Sequence, residues 1–105
     1  MKTKNIQIAE FAISAIMGRP CSIMISEESP DKDFIVVEYS IDKVIYKYKV
    51  KFEKNKIIWG NIWGRWRDEQ EDELITFQEN GDKISIIQKF SKKQIIKKEF
   101  KLENL

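Results

Sequence analysis

The sequence predicts an α+β fold in which one N-terminal amphipathic helix packs on a curled antiparallel β-meander of about seven strands. Apolar residues recur at three- and four-residue steps before Gly18 and at two-residue steps after it. The later segments are joined by short turns, which make successive strands antiparallel neighbours, because a parallel return needs a crossover of about a dozen residues. We expect a half-barrel or small barrel, with the helix over its apolar face or across its open end.

The first element is a helix over about residues 5–17. The helix has a broad apolar stripe, and its polar residues Gln7, Glu10 and Ser14 lie opposite that stripe. Thr3 or Asn5 is suited to cap its start, and Gly18, followed by an Arg-Pro pair, is suited to end it. The helix therefore has clear boundaries and an apolar face that must be covered.

The strands form the meander, which is expected over about residues 21–102. Their expected ranges are 21–26, 34–41, 44–52, 56–60, 74–78, 83–90 and 94–102. In the third range the tyrosines face one way and the lysines the other, which predicts a strand with one wet side. Turns are expected at Asp42-Lys43, Lys54-Asn55, Asn80-Gly81 and Ser91-Lys92-Lys93, and Asn-Gly is typical of a type I′ hairpin turn.

Composition excludes several classes of function. The 105 residues predict one domain over 1–105, and the net charge of +2 is far from the strongly basic balance of a general phosphate-backbone binder. Without histidine there is no Ser-His-Asp, Cys-His or His-rich metal site, and the single cysteine, Cys21, excludes an internal disulfide. We therefore predict no catalytic residues, no bound metal and no cofactor, and expect a protein that is not an enzyme.

The N-terminal apolar run from Ile6 to Met17 is not expected to be a signal peptide. Gln7 and Glu10 interrupt it, a small-x-small cleavage site is missing, and it is too short to span a bilayer. A single free thiol suits a reducing compartment. These features predict a cytoplasmic protein without a membrane partner.

The candidate binding residues are Trp63, Arg65, Trp66 and Arg67. They lie in a segment from Trp59 to Arg67 that holds all three tryptophans and two of the three arginines, the residue types that most often dominate binding surfaces. The competing interpretation is that Trp59 and Trp63 fill the core and that an arginine covers an indole. In the recognition hypothesis, Trp66, flanked by two arginines, is the leading outward-facing residue.

Two charged segments are interpreted as solvated surfaces. The acidic run Asp68–Glu73 is expected to be a loop that partly balances Arg65 and Arg67, since it lacks the glycine of a calcium-binding loop. The lysines at 47, 49 and 51 serve solubility, because Tyr46 and Tyr48 face away from them and leave no basic stacking platform. This separation disfavours nucleic acid as a partner.

The leading functional hypothesis is a non-catalytic interaction module whose partner is a protein or a small apolar ligand. The partner would bind the Trp63–Arg67 region or the mouth of the curled sheet. The alternative is a homodimer formed through the helix face or an edge strand. A nucleic-acid binder, or an enzyme using only Asp, Glu, Tyr and Arg, is less favoured. The architecture resembles small cupped-sheet domains, including lipocalin-like ones, in fold alone.

Overall fold

The computed structural model describes residues 2–91 and 93–103 and, within them, has one α-helix and seven β-strands. The helix α1 spans Lys4–Met17. The strands are β1 (Ile25–Glu28), β2 (Ile35–Ile41), β3 (Val44–Glu53), β4 (Lys56–Asn61), β5 (Leu74–Asn80), β6 (Lys83–Lys89) and β7 (Ile95–Lys101). They form one antiparallel sheet in chain order, curled around α1 as a half-barrel, which confirms the predicted α+β fold.

The helix begins and ends as predicted. The Thr3 side chain accepts a hydrogen bond from the backbone N–H of Ile6 at 3.2 Å, and Gly18 closes the helix with φ of 70°. Its backbone N–H donates to the carbonyl of Ser14 at 2.9 Å. Only a residue that tolerates the left-handed region at low cost fits this position, which explains the glycine.

Two of the three polar residues predicted opposite the apolar stripe of α1, Gln7 and Glu10, are buried. Glu10 is only 3% exposed; it accepts hydrogen bonds from the Lys2 ammonium at 2.8 Å and from the Ser26 hydroxyl at 2.5 Å. Gln7 is also buried, and its side-chain amide bonds the backbone N–H and carbonyl of Glu103. The helix is therefore embedded between the sheet and the two terminal segments.

Two local predictions were wrong in detail. The range 21–26 is not one strand, because Cys21–Ile23 forms a 3₁₀ turn, closed by a hydrogen bond from the N–H of Met24 to the carbonyl of Cys21, before β1 begins. The predicted Asn80-Gly81 turn lies one residue later, since Asn80 pairs with Lys83 in the ladder. Gly81 has φ of 66° at the first central position, where a type II′ turn requires it.

The other predicted turns lie where expected. Both central residues of the Asp42-Lys43 turn have positive φ, 51° and 70°, and Lys54 in the next hairpin has φ of 56°. The last predicted turn includes Lys92, which lies outside the described residues.

The sheet is incomplete between β4 and β5, and this gap positions the candidate site. Within the described residues, the ladder between these strands pairs only Lys56 with Thr76, whereas β3 and β4 pair along the whole of β4. The rest of the β4 edge is covered by the segment that connects it to β5, residues 62–73. We call this segment the β4–β5 loop.

Candidate functional site

The three tryptophans lie in three different environments. Trp59 is 6% exposed and belongs to the core, Trp63 is 95% exposed, and Trp66 is half-buried. The core interpretation is thus right for Trp59 and wrong for Trp63. Trp63, and not Trp66, is the most outward-facing indole of the segment.

A tight turn at the end of β4 exposes Trp63. The N–H of Gly64 donates to the carbonyl of Asn61 at 2.9 Å, which closes a turn with Ile62 and Trp63 at its centre. Continued strand geometry would have placed Trp63 on the same face as Trp59. The turn ends that alternation and directs the indole into solvent.

After this turn the β4–β5 loop runs back along the open edge of β4. The N–H of Arg67 donates to the carbonyl of Trp59 at 2.7 Å, as a neighbouring strand would. The carbonyl oxygen of Arg65 comes so near Gly60 that a Cβ placed there would be 2.4 Å from it. The close approach therefore requires glycine at position 60.

The extended backbone of the loop sends Trp66 and Arg67 to opposite faces of the sheet. The Arg67 guanidinium lies 5.1 Å from the centre of the buried Trp59 ring, as the predicted arginine lid requires. Trp66 lies on the outer face, where the ammonium groups of Lys49 and Lys51 are 4.6 and 4.4 Å from its ring centre. The sequence pattern did not predict this contact.

Asp72 holds the β4–β5 loop closed. The guanidinium of Arg65 donates two hydrogen bonds to its carboxylate, at 2.8 and 2.9 Å, and the N–H of Glu69 donates a third at 3.0 Å. Arg67 lies 3.6 Å from the same carboxylate, so the Asp72 side chain is only 4% exposed. One carboxylate of the acidic run is thus covered by the arginines that the run was predicted to balance.

These contacts make the loop sensitive to acid. The hydrogen bonds from Arg65 lower the pKa of Asp72 from 3.8 to about 2. Because the pKa is lower in the folded chain, the carboxylate stabilises the loop fully above about pH 4, and this stabilisation is lost as the pH falls towards about 2. We expect the indole N–H signals of Trp63 and Trp66 to report loop opening over this range.

An amide at position 72 separates this effect from the titration of other carboxylates. Asp72→Asn should loosen the loop already at neutral pH and remove the acid transition from these indole signals. Asp68→Asn, which changes an exposed carboxylate in the same loop, should leave the transition in place. An acid transition that persists in the Asp72 variant would contradict this role.

Beside Trp66 lies an open groove of about 470 Å³, which we call the Trp66 groove. Its lining residues come from three separate segments: Asp33, Phe34, Lys49, Lys51, Ile62 and Trp66. Phe34 meets the Trp66 ring edge-on, with ring centres 5.8 Å apart and planes at 73°. The alternation in β3 correctly predicted that Lys49 and Lys51 share a face. The expectation that no aromatic platform lies beside them was wrong, because Trp66 and Phe34 come from segments outside β3.

The tyrosines lie on the opposite face, as predicted. Tyr39 and Tyr48 are buried with their hydroxyls 3.3 Å apart, and Tyr48 packs edge-on against Trp59. Burial, followed by the hydrogen bond to Tyr39, raises the pKa of Tyr48 above its ordinary value. The Trp59 indole N–H lies in this cluster, buried and without a hydrogen-bond partner among the described residues. The cluster is part of the packed interior.

Within residues 2–91 and 93–103, His, Cys, Asp and Glu side chains do not gather in groups of three or more that could hold a metal ion. In the same ranges, α1 and the 3₁₀ turn fall short of the length and apolar character that crossing a bilayer demands. Comparisons with protein-family models, curated proteins and solved structures find no match to this chain.

Proposed function

We propose that this chain is a non-catalytic binding module that recognises a partner protein through the β4–β5 loop, with Trp63 as the anchor. The observation that carries this proposal is the 95% exposure of the Trp63 side chain. Tryptophan is highly buried on average in folded proteins, and it is enriched among the residues that dominate binding energy. An indole held in water is therefore suited to fill a pocket on another protein.

The turn that carries Trp63 is braced from both sides, which supports the proposal. The N–H of Ile62 donates to the carbonyl of Lys47 at 3.1 Å, and the Lys49 ammonium donates to the carbonyl of Gly64 at 2.7 Å. Binding through a preorganised turn loses less conformational entropy than binding through a flexible one. The backbone that carries the anchor is thus ordered before a partner binds.

The other three candidate residues follow the anchor in the same loop. Arg65 and Arg67 use part of their hydrogen-bonding capacity on Asp72, yet their side chains remain 51% and 41% exposed. Their remaining surface is suited to form the polar rim of an interface, where exposed charges contribute more to orientation than to affinity. Trp66 contributes the part of its ring that remains open to solvent.

The mouth of the curled sheet is the less favoured surface for a ligand. The concave side is occupied by α1, which contacts β1, β2, β3 and β6. An apolar ligand entering there would have to displace packed side chains, and close-packed protein interiors tolerate such insertion poorly. This argument favours the loop surface and a protein partner.

Replacing Trp63 with alanine tests the proposal. Because the side chain is almost wholly exposed, Trp63→Ala should change the free energy of unfolding by no more than about 0.5 kcal/mol. It should weaken partner binding by about 2 kcal/mol or more, roughly thirtyfold in Kd. Partners are isolated by affinity capture on the wild-type chain, and their Kd values are then measured by calorimetry with both chains.

Phe90→Ala is the matched control, because Phe90 is an exposed aromatic residue far along the chain in the β6–β7 turn. A partner that binds through Trp63 should bind this variant with unchanged affinity. Equal binding to the wild-type chain and to Trp63→Ala would contradict the proposal. So would equal losses in both variants, which would indicate nonspecific adhesion of apolar surface.

Self-association is the alternative function, and the character of the two edge strands disfavours it. The β1 edge is only four residues long and ends in two glutamates, and β7 carries lysines at positions 97, 98 and 101. Short edges and exposed charge both discourage strand pairing between chains. The helix also has little exposed surface for a dimer interface, since eight of the fourteen residues of α1 are buried. Sedimentation of the wild-type chain identifies a second copy as the partner if one binds.

A further inference from the structure

The Trp66 groove combines flat apolar walls with two positive charges. Phe34 and Trp66 supply the aromatic surface and Ile62 an aliphatic one. The volume of about 470 Å³ lies within the range of small-molecule sites, and the lining combines apolar and polar side chains. The groove lies on the outer face of the sheet, so filling it leaves the core undisturbed.

Among the residues that the structure describes, neither ammonium group of the groove forms an ion pair. Lys49 donates to the carbonyl of Gly64, whereas Lys51 has neither a hydrogen bond nor an ion pair among residues 2–91 and 93–103. Asp33 also lines the groove, but within the same residues its carboxylate is not within 4 Å of either ammonium. Two like charges beside one indole produce a local positive potential that an anion would relieve.

We propose that the Trp66 groove binds a small aromatic acid, in which a planar ring carries a carboxylate. The ring packs against Trp66 and Phe34, and the carboxylate accepts hydrogen bonds from the Lys51 ammonium, which contacts the Trp66 ring but has no hydrogen bond or ion pair among the described residues. Lys49 keeps its hydrogen bond to the carbonyl of Gly64, and its positive charge strengthens the attraction for the carboxylate. The site shares the Trp66 ring with the proposed protein-binding surface but does not include its anchor, Trp63, so either proposal can fail without the other.

Naphthalene-2-carboxylate is a suitable probe, because it combines a planar ring with one carboxylate. Titration into the ¹⁵N-labelled chain should produce saturable shifts of the Trp66 indole N–H signal and of the backbone amides of Phe34 and Lys51. The indole signal of buried Trp59 should remain in place. Naphthalene-2-carboxamide, which keeps the ring without the charge, and acetate, which keeps the charge without the ring, should both bind at least about tenfold more weakly.

Variants of β3 identify the cation. Lys51→Met keeps an apolar stem of similar length and removes the charge, so it should weaken naphthalene-2-carboxylate binding by about tenfold or more. Lys51→Arg should retain binding, because it restores a donor of the same charge. Lys47→Met is the matched control: Lys47 lies on the same face of the same strand outside the groove lining, and its loss should leave the affinity unchanged.

Three results would overturn the proposal. The first is the absence of a saturable shift at Trp66, and the second is equal affinity for the carboxylate and the carboxamide, which would show that charge plays no part. The third is equal weakening in Lys51→Met and Lys47→Met, which would indicate general attraction to a basic surface. If Lys51→Met failed to fold, the ligand comparison on the wild-type chain would still decide the role of the carboxylate.

Discussion

Glu10→Ala is expected to lower the free energy of unfolding by about 3 kcal/mol. The carboxylate is 3% exposed and is held by Lys2 and Ser26. Its removal leaves the Ser26 hydroxyl without this partner and the Lys2 ammonium with only the carbonyl of Met24. Breaking a buried ion pair typically costs about 3–5 kcal/mol. The lower end applies because the Lys2 side chain is 45% exposed and can turn towards water.

Urea denaturation is the suitable measurement, because guanidinium salts would screen the ion pair. Glu10→Gln keeps the volume and part of the hydrogen bonding, so it should cost less than the alanine variant. Glu99→Ala removes one partner of the exposed Lys83–Glu99 pair and should cost at most about 1 kcal/mol. Equal losses in Glu10→Ala and Glu99→Ala would show that burial of Glu10 contributes little.

Gly60→Ala is expected to displace the β4–β5 loop and to cost about 1–3 kcal/mol, the usual range for inserting a methyl group into a packed site. The new Cβ would lie 2.4 Å from the carbonyl oxygen of Arg65. Backbone cannot rotate out of the way as a flexible side chain can, so the loop must move away from β4. Trypsin cleavage after Arg65 and Arg67 should become faster, and the indole signals of Trp63 and Trp66 should change.

Gly64→Ala is the matched control for this prediction. Gly64 lies in the same segment, but a Cβ there would have its nearest contact at 3.4 Å, to the Cβ of Asn61, and its φ is not positive. Its substitution should change the free energy of unfolding by about 0.5 kcal/mol or less. Similar cleavage rates in both variants would argue that close approach at Gly60 does not hold the loop.

Most of the secondary structure could be predicted from the sequence because its signals are local. The two-residue alternation in β3 assigned the tyrosines and lysines to opposite faces, and Thr3 and Gly18 marked the ends of α1. The helical pattern placed Gln7 and Glu10 opposite the apolar stripe but did not indicate their burial, because the partners that satisfy them in the interior, Ser26 and Glu103, lie far along the chain. A polar residue tolerates burial when hydrogen bonds replace those it made with water.

In the candidate site, too, the sequence predicted some features and only the tertiary structure decided others. The clustering of Trp and Arg between Trp59 and Arg67 indicated this segment, since large aromatic and guanidinium side chains are enriched at binding surfaces. Sequence could not assign its three indoles to their environments, because each depends on a contact with a distant strand or loop. Trp63 faces water because a turn ends β4, and Trp66 lies under lysines of β3 because the loop returns along an unpaired strand edge. Local periodicity determines which face a strand residue takes, whereas only tertiary packing decides what covers that face.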